Sequence, residues 1–170
     1  MQLPRGAEEL DSLEGQVDNV ARANAYLLEY KAGRYVAFPP HTGMELVENP
    51  HIVRVPGVPA YCLGLMQWQG HRLPVLDLGK LVWGGAGDAT GPIAGHVLVV
   101  AYQSAPGRPL EYGAVRAPFL INIIGVVDSQ KAGLPSDVGP LGRACLACFE
   151  HQGQAVPILS TTELFSRPLA

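Results

Sequence analysis

Cys145-x-x-Cys148, with His151 three residues on, has part of the spacing of a metal-binding or redox motif. A structural zinc site asks for four ligands, and Cys62 is the only other cysteine in the chain. On a regular strand, residues i and i+3 point to opposite faces, which is poor geometry for joint ligation. The expectation is therefore buried structural thiols and no metal. His41, His51, His71, His96 and His151 lie apart in sequence, and none sits in a nucleophile motif. There is no G-x-S-x-G, no Walker loop and no H-E-x-x-H. Gly84-Gly85-Ala86-Gly87-Asp88 is glycine-rich, but no Lys-Ser/Thr follows to complete a phosphate cradle. The residues thus predict no catalytic centre and no cofactor.

The composition agrees with a folded, turn-rich chain. Of 170 residues, 48% are hydrophobic and only 16% charged, which excludes a disordered chain. Twenty Gly and 15 Pro are spread without a collagen period, favouring short strands over long helices. A net charge of −3 gives no broad electrostatic footprint for nucleic acid. The longest apolar run, Val97–Ala101, is far below the roughly 18 residues of a membrane span, so no membrane insertion is expected. No signal peptide is visible, and three cysteines are few and odd in number; a reducing, cytoplasmic setting is expected.

The elements that must position any site are mostly strands. Leu10, Leu13, Val17 and Val20 recur at helical spacing amid acids, which predicts a short N-terminal helix. Ala25–Tyr30 and Arg34–Phe38 read as a hairpin around Lys31-Ala32-Gly33. Further strands are predicted at 62–69, 73–78, 96–103, 111–116, 120–127, 144–151 and 155–159, separated by Gly- and Pro-rich turns. Such a series argues an all-β barrel or sandwich. Residues 62–82 can also be laid on 145–165 without a gap. Cys62/Cys145, Leu63/Leu146, Gln69/Gln152, Gly70/Gly153, Pro74/Pro157, Leu76/Leu159 and Leu81/Leu164 are identical. Each copy reads as a strand, a tight Gln-Gly turn with Gly supplying the positive φ, and a second strand carrying a proline. That proline predicts an edge position or a bulge. A helical turn follows, capped by Asp77 in the first copy and by Ser160 with Glu163 in the second. Two copies suggest two similar β-subdomains. Trp68 alternates with Met66, which points it inward; an outward indole would instead be an interface anchor.

Leu63-Gly64-Leu65-Met66-Gln67-Trp68-Gln69-Gly70-His71-Arg72-Leu73-Pro74-Val75-Leu76-Asp77-Leu78 resembles the "GVINLRGxxxPVxDL" pattern of the CheW-like domain. Val53-Arg54-Val55-Pro56-Gly57-Val58-Pro59 is similar to its "xRxPxxP" segment, and Tyr26-Leu27-Leu28 with Gly33-Arg34-Tyr35 to its opening hairpin. The resemblance covers roughly residues 24 to 166. It implies a mainly all-β fold of two pseudo-repeated, SH3-like, five-stranded β-barrel subdomains over residues 24–170, preceded by an acidic, partly helical arm at 1–23. It further implies a non-enzymatic adaptor of bacterial chemosensory arrays. One surface would dock the regulatory domain of a CheA-type histidine kinase, and a groove between the subdomains would receive a methyl-accepting chemoreceptor. By matching position, the contacts would involve Gln67, Trp68, Gln69 and Gly70, with Arg72 nearby, and Met44 and Val47 on the groove side.

Two departures stand out. The family's Arg before the turn glycine is here Gln69, which removes a charge-assisted contact. Its "VDxV" segment is here Val115-Arg116-Ala117-Pro118. Both fit a divergent adaptor, such as those of pilus-driven twitching motility. The alternative reading is a β-barrel that binds a small ligand, for instance a nucleotide second messenger, and regulates a partner. Its discriminating feature would be a cluster among Arg34, Arg54, Arg72, Arg108 and Arg116.

Overall fold

The computed structural model describes residues 22–85, 95–119 and 121–169. The predicted N-terminal helix and most of the Gly84–Asp88 stretch lie outside the described residues. Arg22 and Ala23, assigned above to the arm, belong to the first strand.

In chain order the strands are β1 (Arg22–Lys31), β2 (Arg34–Phe38), β3 (Gly43–Glu48), β4 (Ile52–Val53), β5 (Cys62–Trp68) and β6 (His71–Leu76). After helix α1 (Leu78–Trp83) come β7 (His96–Tyr102), β8 (Glu111–Ala117), β9 (Ile121–Val127) and β10 (Lys131–Ala132). A 3-10 segment at Gly139–Ala144 leads to β11 (Cys145–His151), β12 (Gln154–Leu159) and α2 (Thr161–Ser166). They form two six-stranded sheets, ordered β10-β11-β12-β2-β1-β9 and β3-β7-β8-β6-β5-β4. Without the two-residue strands β4 and β10, each sheet has the five strands expected.

The two sheets share one plan. In each, a hairpin (β5–β6 or β11–β12) lies parallel to the second strand of another hairpin (β7–β8 or β1–β2). The second sheet is built from the contiguous stretch β3 to β8. The first joins β9–β12 to the N-terminal hairpin, through the pairing of Ile158 with Ala37. The pattern predicted for residues 62–82 and 145–165 is therefore the part of a larger repeat whose order along the chain is unbroken.

Strand alternation divides the apolar residues between three cores. On β7, Val97 and Val99 fill the inside of the second sheet with Met66, Trp68, Leu73 and Val75. Leu98 and Val100 turn the other way, into a core shared by both sheets with Leu28, Val36, Phe38, Leu141 and Leu159. Ala25, Leu27 and Ala37 meet Phe149 and Val156 inside the first sheet. A strand buried on both faces carries a continuous apolar run, which accounts for Val97–Ala101.

Pro74 and Pro157 stand in interior strands, where an edge or a bulge was expected. Each lies one residue before its strand's parallel pairing begins, at Val75↔Ala114 and Ile158↔Ala37. There the strand has no ladder N–H to lose on that side. The bulges fall instead on the partner strands, between Cys62 and Gly64 and between Cys145 and Ala147. The Asp77 cap forms, and of the Ser160–Glu163 capping box the serine half forms, while Ser160 N donates to Ala144 O at 2.7 Å instead of to the Glu163 side chain. Asp77 accepts from Lys80 N at 3.0 Å, and Ser160 Oγ from Glu163 N at 3.2 Å.

Candidate functional site

Trp68 pairs with His71 across the end of the β5–β6 hairpin, leaving Gln69 and Gly70 as a two-residue turn. Gln69 has φ 45° and Gly70 φ 80°; Gln152 and Gly153 in the second copy have 50° and 76°. Two successive positive φ values are the signature of a type I′ turn, which matches the twist of the strands it joins. The glutamine, as well as the glycine, sits in the left-handed region. The sequence reading assigned that demand to glycine alone, because Gln is not a typical residue there. Gln67, Gln69, Gly70, His71 and Arg72 are exposed, so the turn projects a polar tip.

Trp68 takes the inward option. It is 8% exposed and belongs to the core of the second sheet. Its ring lies 5.1 Å from that of Tyr112 on β8, and His71 packs on the same tyrosine at 5.0 Å. The indole N–H donates to Glu45 Oε2 on β3 at 2.6 Å. The tryptophan therefore braces the turn from beneath and offers a partner little area.

Met44 and Val47, expected on one groove, line two. Val47 joins Met66, Gln67 and Arg72 along a concavity of about 650 Å³ on the second sheet. Its floor depends on Gly64, where a Cβ would stand 2.2 Å from Val53 O, so only glycine lets β4 cross so close to β5. Met44 lies instead between the two sheets, in a groove of about 330 Å³ with Tyr102, Leu110, Leu146 and Thr161. Hydroxyls of α2 fasten this groove's floor. Thr161 Oγ1 donates to Ala101 O at 2.9 Å and Thr162 Oγ1 to Gln103 O at 3.0 Å. Met44 and Leu146 are 47% and 62% exposed, so the groove presents apolar side chains to solvent.

The arginines are distributed. Arg116 pairs with the buried Asp77 at 3.1 Å, and Arg34 pairs with Asp137. Arg72 is the one arginine lining the Val47 concavity. A third concavity, of about 650 Å³, has Arg22, and a fourth has Arg167. Each of these concavities is lined by at most one arginine.

Sequence reasoning passed over Trp83, which ends α1. Its ring is 41% exposed and stacks on Tyr30 at 5.8 Å, with Lys31 Nζ 4.1 Å above it. A solvent-facing tryptophan at the end of a capped helix was the available signal. Burial pushes the Tyr30 hydroxyl up to about 12, with Arg34 opposing and Asp137 adding to the shift.

The thiols also depart from expectation. The β11 bulge turns Cys145 toward Cys148, and their sulfurs stand 3.4 Å apart in a thiol–thiol hydrogen bond. Burial, then the Cys145 contact, pushes the Cys148 thiol up to about 12. Among the described residues, no group of three or more His, Cys, Asp or Glu could hold a metal ion.

Paired sheets built on one plan around a shared core define the class: a mainly β domain of two similar subdomains. The model of the CheW-like domain matches residues 27–169, and the chain belongs to that family, one of non-enzymatic scaffolds and adaptors of chemotaxis. The crystal structure of the scaffolding protein TtCheW from Thermoanaerobacter tengcongensis has the same fold. Its TM-score is 0.64 at 14% identity, over 88% of this chain and 97% of that one. No curated protein matches the sequence. No helix among the described residues is long and apolar enough to cross a membrane.

Proposed function

We propose that this chain is a cytoplasmic scaffold that couples a methyl-accepting chemoreceptor to a CheA-type histidine kinase, in a divergent array such as one governing twitching motility. The observation that carries the reading is the Gln69–Gly70 turn: a projecting polar tip, braced by Trp68, beside the exposed pair Gln67 and Arg72. This edge of the second sheet docks the kinase regulatory domain. The inter-sheet groove at Met44 and Leu146 takes the apolar face of the receptor's helical tip. Val47 belongs with the kinase-facing side, since it lines the concavity that holds Gln67 and Arg72.

The test compares Gln69→Asp with Gln152→Asp in binding to a kinase regulatory domain recovered from the native cytoplasm, by interferometry. Both positions are exposed turn tips with matching backbone angles, so any fold effect is shared. A new carboxylate at position 69 facing an acidic partner weakens binding by about fivefold, on the order of 1 kcal/mol. Gln152→Asp leaves affinity unchanged. Equal affinities for the two variants remove the turn from the interface.

A further inference from the structure

We propose that Cys145 and Cys148 form a reversible dithiol–disulfide site, oxidised by small disulfides of the glutathione class. Four observations meet here. The bulge between Cys145 and Ala147 brings the sulfurs to 3.4 Å, so closure to a bond of about 2.05 Å asks for little movement. Cys145 is half-buried and is followed by exposed Leu146 and Ala147, so a small disulfide can reach it, while Cys148 is 6% exposed. The backbone at 145–147 pairs on one side only among the described residues, because β10 meets β11 at Cys148 and Phe149. That leaves it free to adjust. Finally, the first copy has the same bulge between Cys62 and Gly64 but carries Leu65 where the second has Cys148. The fold therefore forms this corner without a second thiol.

The chemistry assigns the two sulfurs different parts. Cys145, as the thiolate, attacks one sulfur of the small disulfide; an S–S bond forms to the protein and one small thiolate leaves. Burial holds Cys148 as the neutral thiol, unsuited to begin the exchange. Once Cys145 is in the mixed disulfide its sulfur is neutral and no longer adds the hydrogen bond and charge that help hold the proton on Cys148. Cys148 then gives up its proton and attacks Cys145 Sγ, expelling the second small thiolate. Two electrons pass from the protein dithiol to the small disulfide, and the two protein protons end on the two released thiols. The ring so closed contains Leu146, on the wall of the inter-sheet groove. An effect on docking depends on the proposed function, so the test reads the disulfide itself.

The full chain, reduced and then equilibrated in glutathione buffers of rising oxidised-to-reduced ratio, is quenched with N-ethylmaleimide and mapped by mass spectrometry. The expected result is a fall from three alkylatable thiols to one, Cys62, with loss of the mass of two hydrogens from the peptide that spans residues 145–148. Cys148→Ser stops at a glutathione adduct on Cys145, and Cys145→Ser leaves Cys148 as a free thiol throughout. The proposal is overturned if both thiols of the parent stay alkylatable across the series. Arrest of the parent at the glutathione adduct, or a disulfide that uses Cys62, overturns it equally.

Discussion

Replacing Gln69 and Gln152 by asparagine should stabilise the protein, by an amount that follows from four backbone angles. Both glutamines lie in the left-handed region, at φ 45° and 50°, followed by glycines at 80° and 76°. A residue with a full side chain is disfavoured there by about 1–2 kcal/mol, and asparagine, by bonding locally to the backbone, recovers part of that. Asn-Gly is also the preferred pair of a type I′ turn. Glycine would remove the strain too, but at the cost of roughly 0.5–1 kcal/mol of added freedom in the unfolded chain. A gain of about 0.5–1 kcal/mol per asparagine is therefore expected. The turns belong to different sheets and share no partner, so the double variant should gain about 1–2 kcal/mol. For a chain of this length that raises the melting temperature by roughly 2–8 °C. Calorimetry of the two single variants and the double reads this directly. An unchanged or lower melting temperature in both singles would refute the assignment of strain to the glutamines. A double variant gaining no more than one single would refute the independence of the two sheets.

Gly64→Ala should cost at least about 2 kcal/mol in urea unfolding, since its Cβ would meet the Val53 carbonyl at 2.2 Å with φ at 137°. Gly125→Ala on β9, where nothing stands within 4 Å, should stay within about 0.5 kcal/mol, and equal costs would overturn the close-approach argument. Tyr30 has a folded pKa of about 12 against 10.0, so the folded state holds that proton more tightly. Its contribution is complete below pH 10 and fades as pH rises toward 12, with a slope of up to about 1.4 kcal/mol per pH unit. Denaturation curves across that window should fall less steeply for Tyr30→Phe than for the parent; parallel curves would sink the assignment.

The strands were legible because period-2 burial leaves a clear trace in short segments bounded by Gly and Pro. Trp68 was legible for the same reason: alternation with Met66 set its direction. What alternation cannot report is its own interruption. The bulge at Cys145–Ala147 turns an i, i+3 pair from opposed to adjacent, and nothing in Cys-Leu-Ala-Cys announces it. The separation of Met44 from Val47 has a different origin. Plain alternation already sends residues i and i+3 of β3 to opposite faces, and the two were placed together by the match to the family, not by strand geometry. The parallel contact of Ala37 with Ile158 joins segments far apart in sequence, beyond the reach of local pattern. The apolar groove at Met44 was expected from resemblance to a family, and its walls from both sheets are visible only in three dimensions.

The interleaved sheets give synthesis an order. The strands of one sheet, β3 to β8, leave the ribosome as a single stretch and can pair as they emerge. The hairpin β1–β2 is made first yet is covered late. Its inward residues Leu27 and Ala37 wait for Phe149 and Val156. At about 5–20 residues per second, the gap between completing β8 and completing β12 is roughly 2–8 s. For that interval the nascent chain carries an unshielded apolar hairpin beside a finished sheet. Translation speed through residues 117–159 thus bears on how long this protein needs a chaperone's cover.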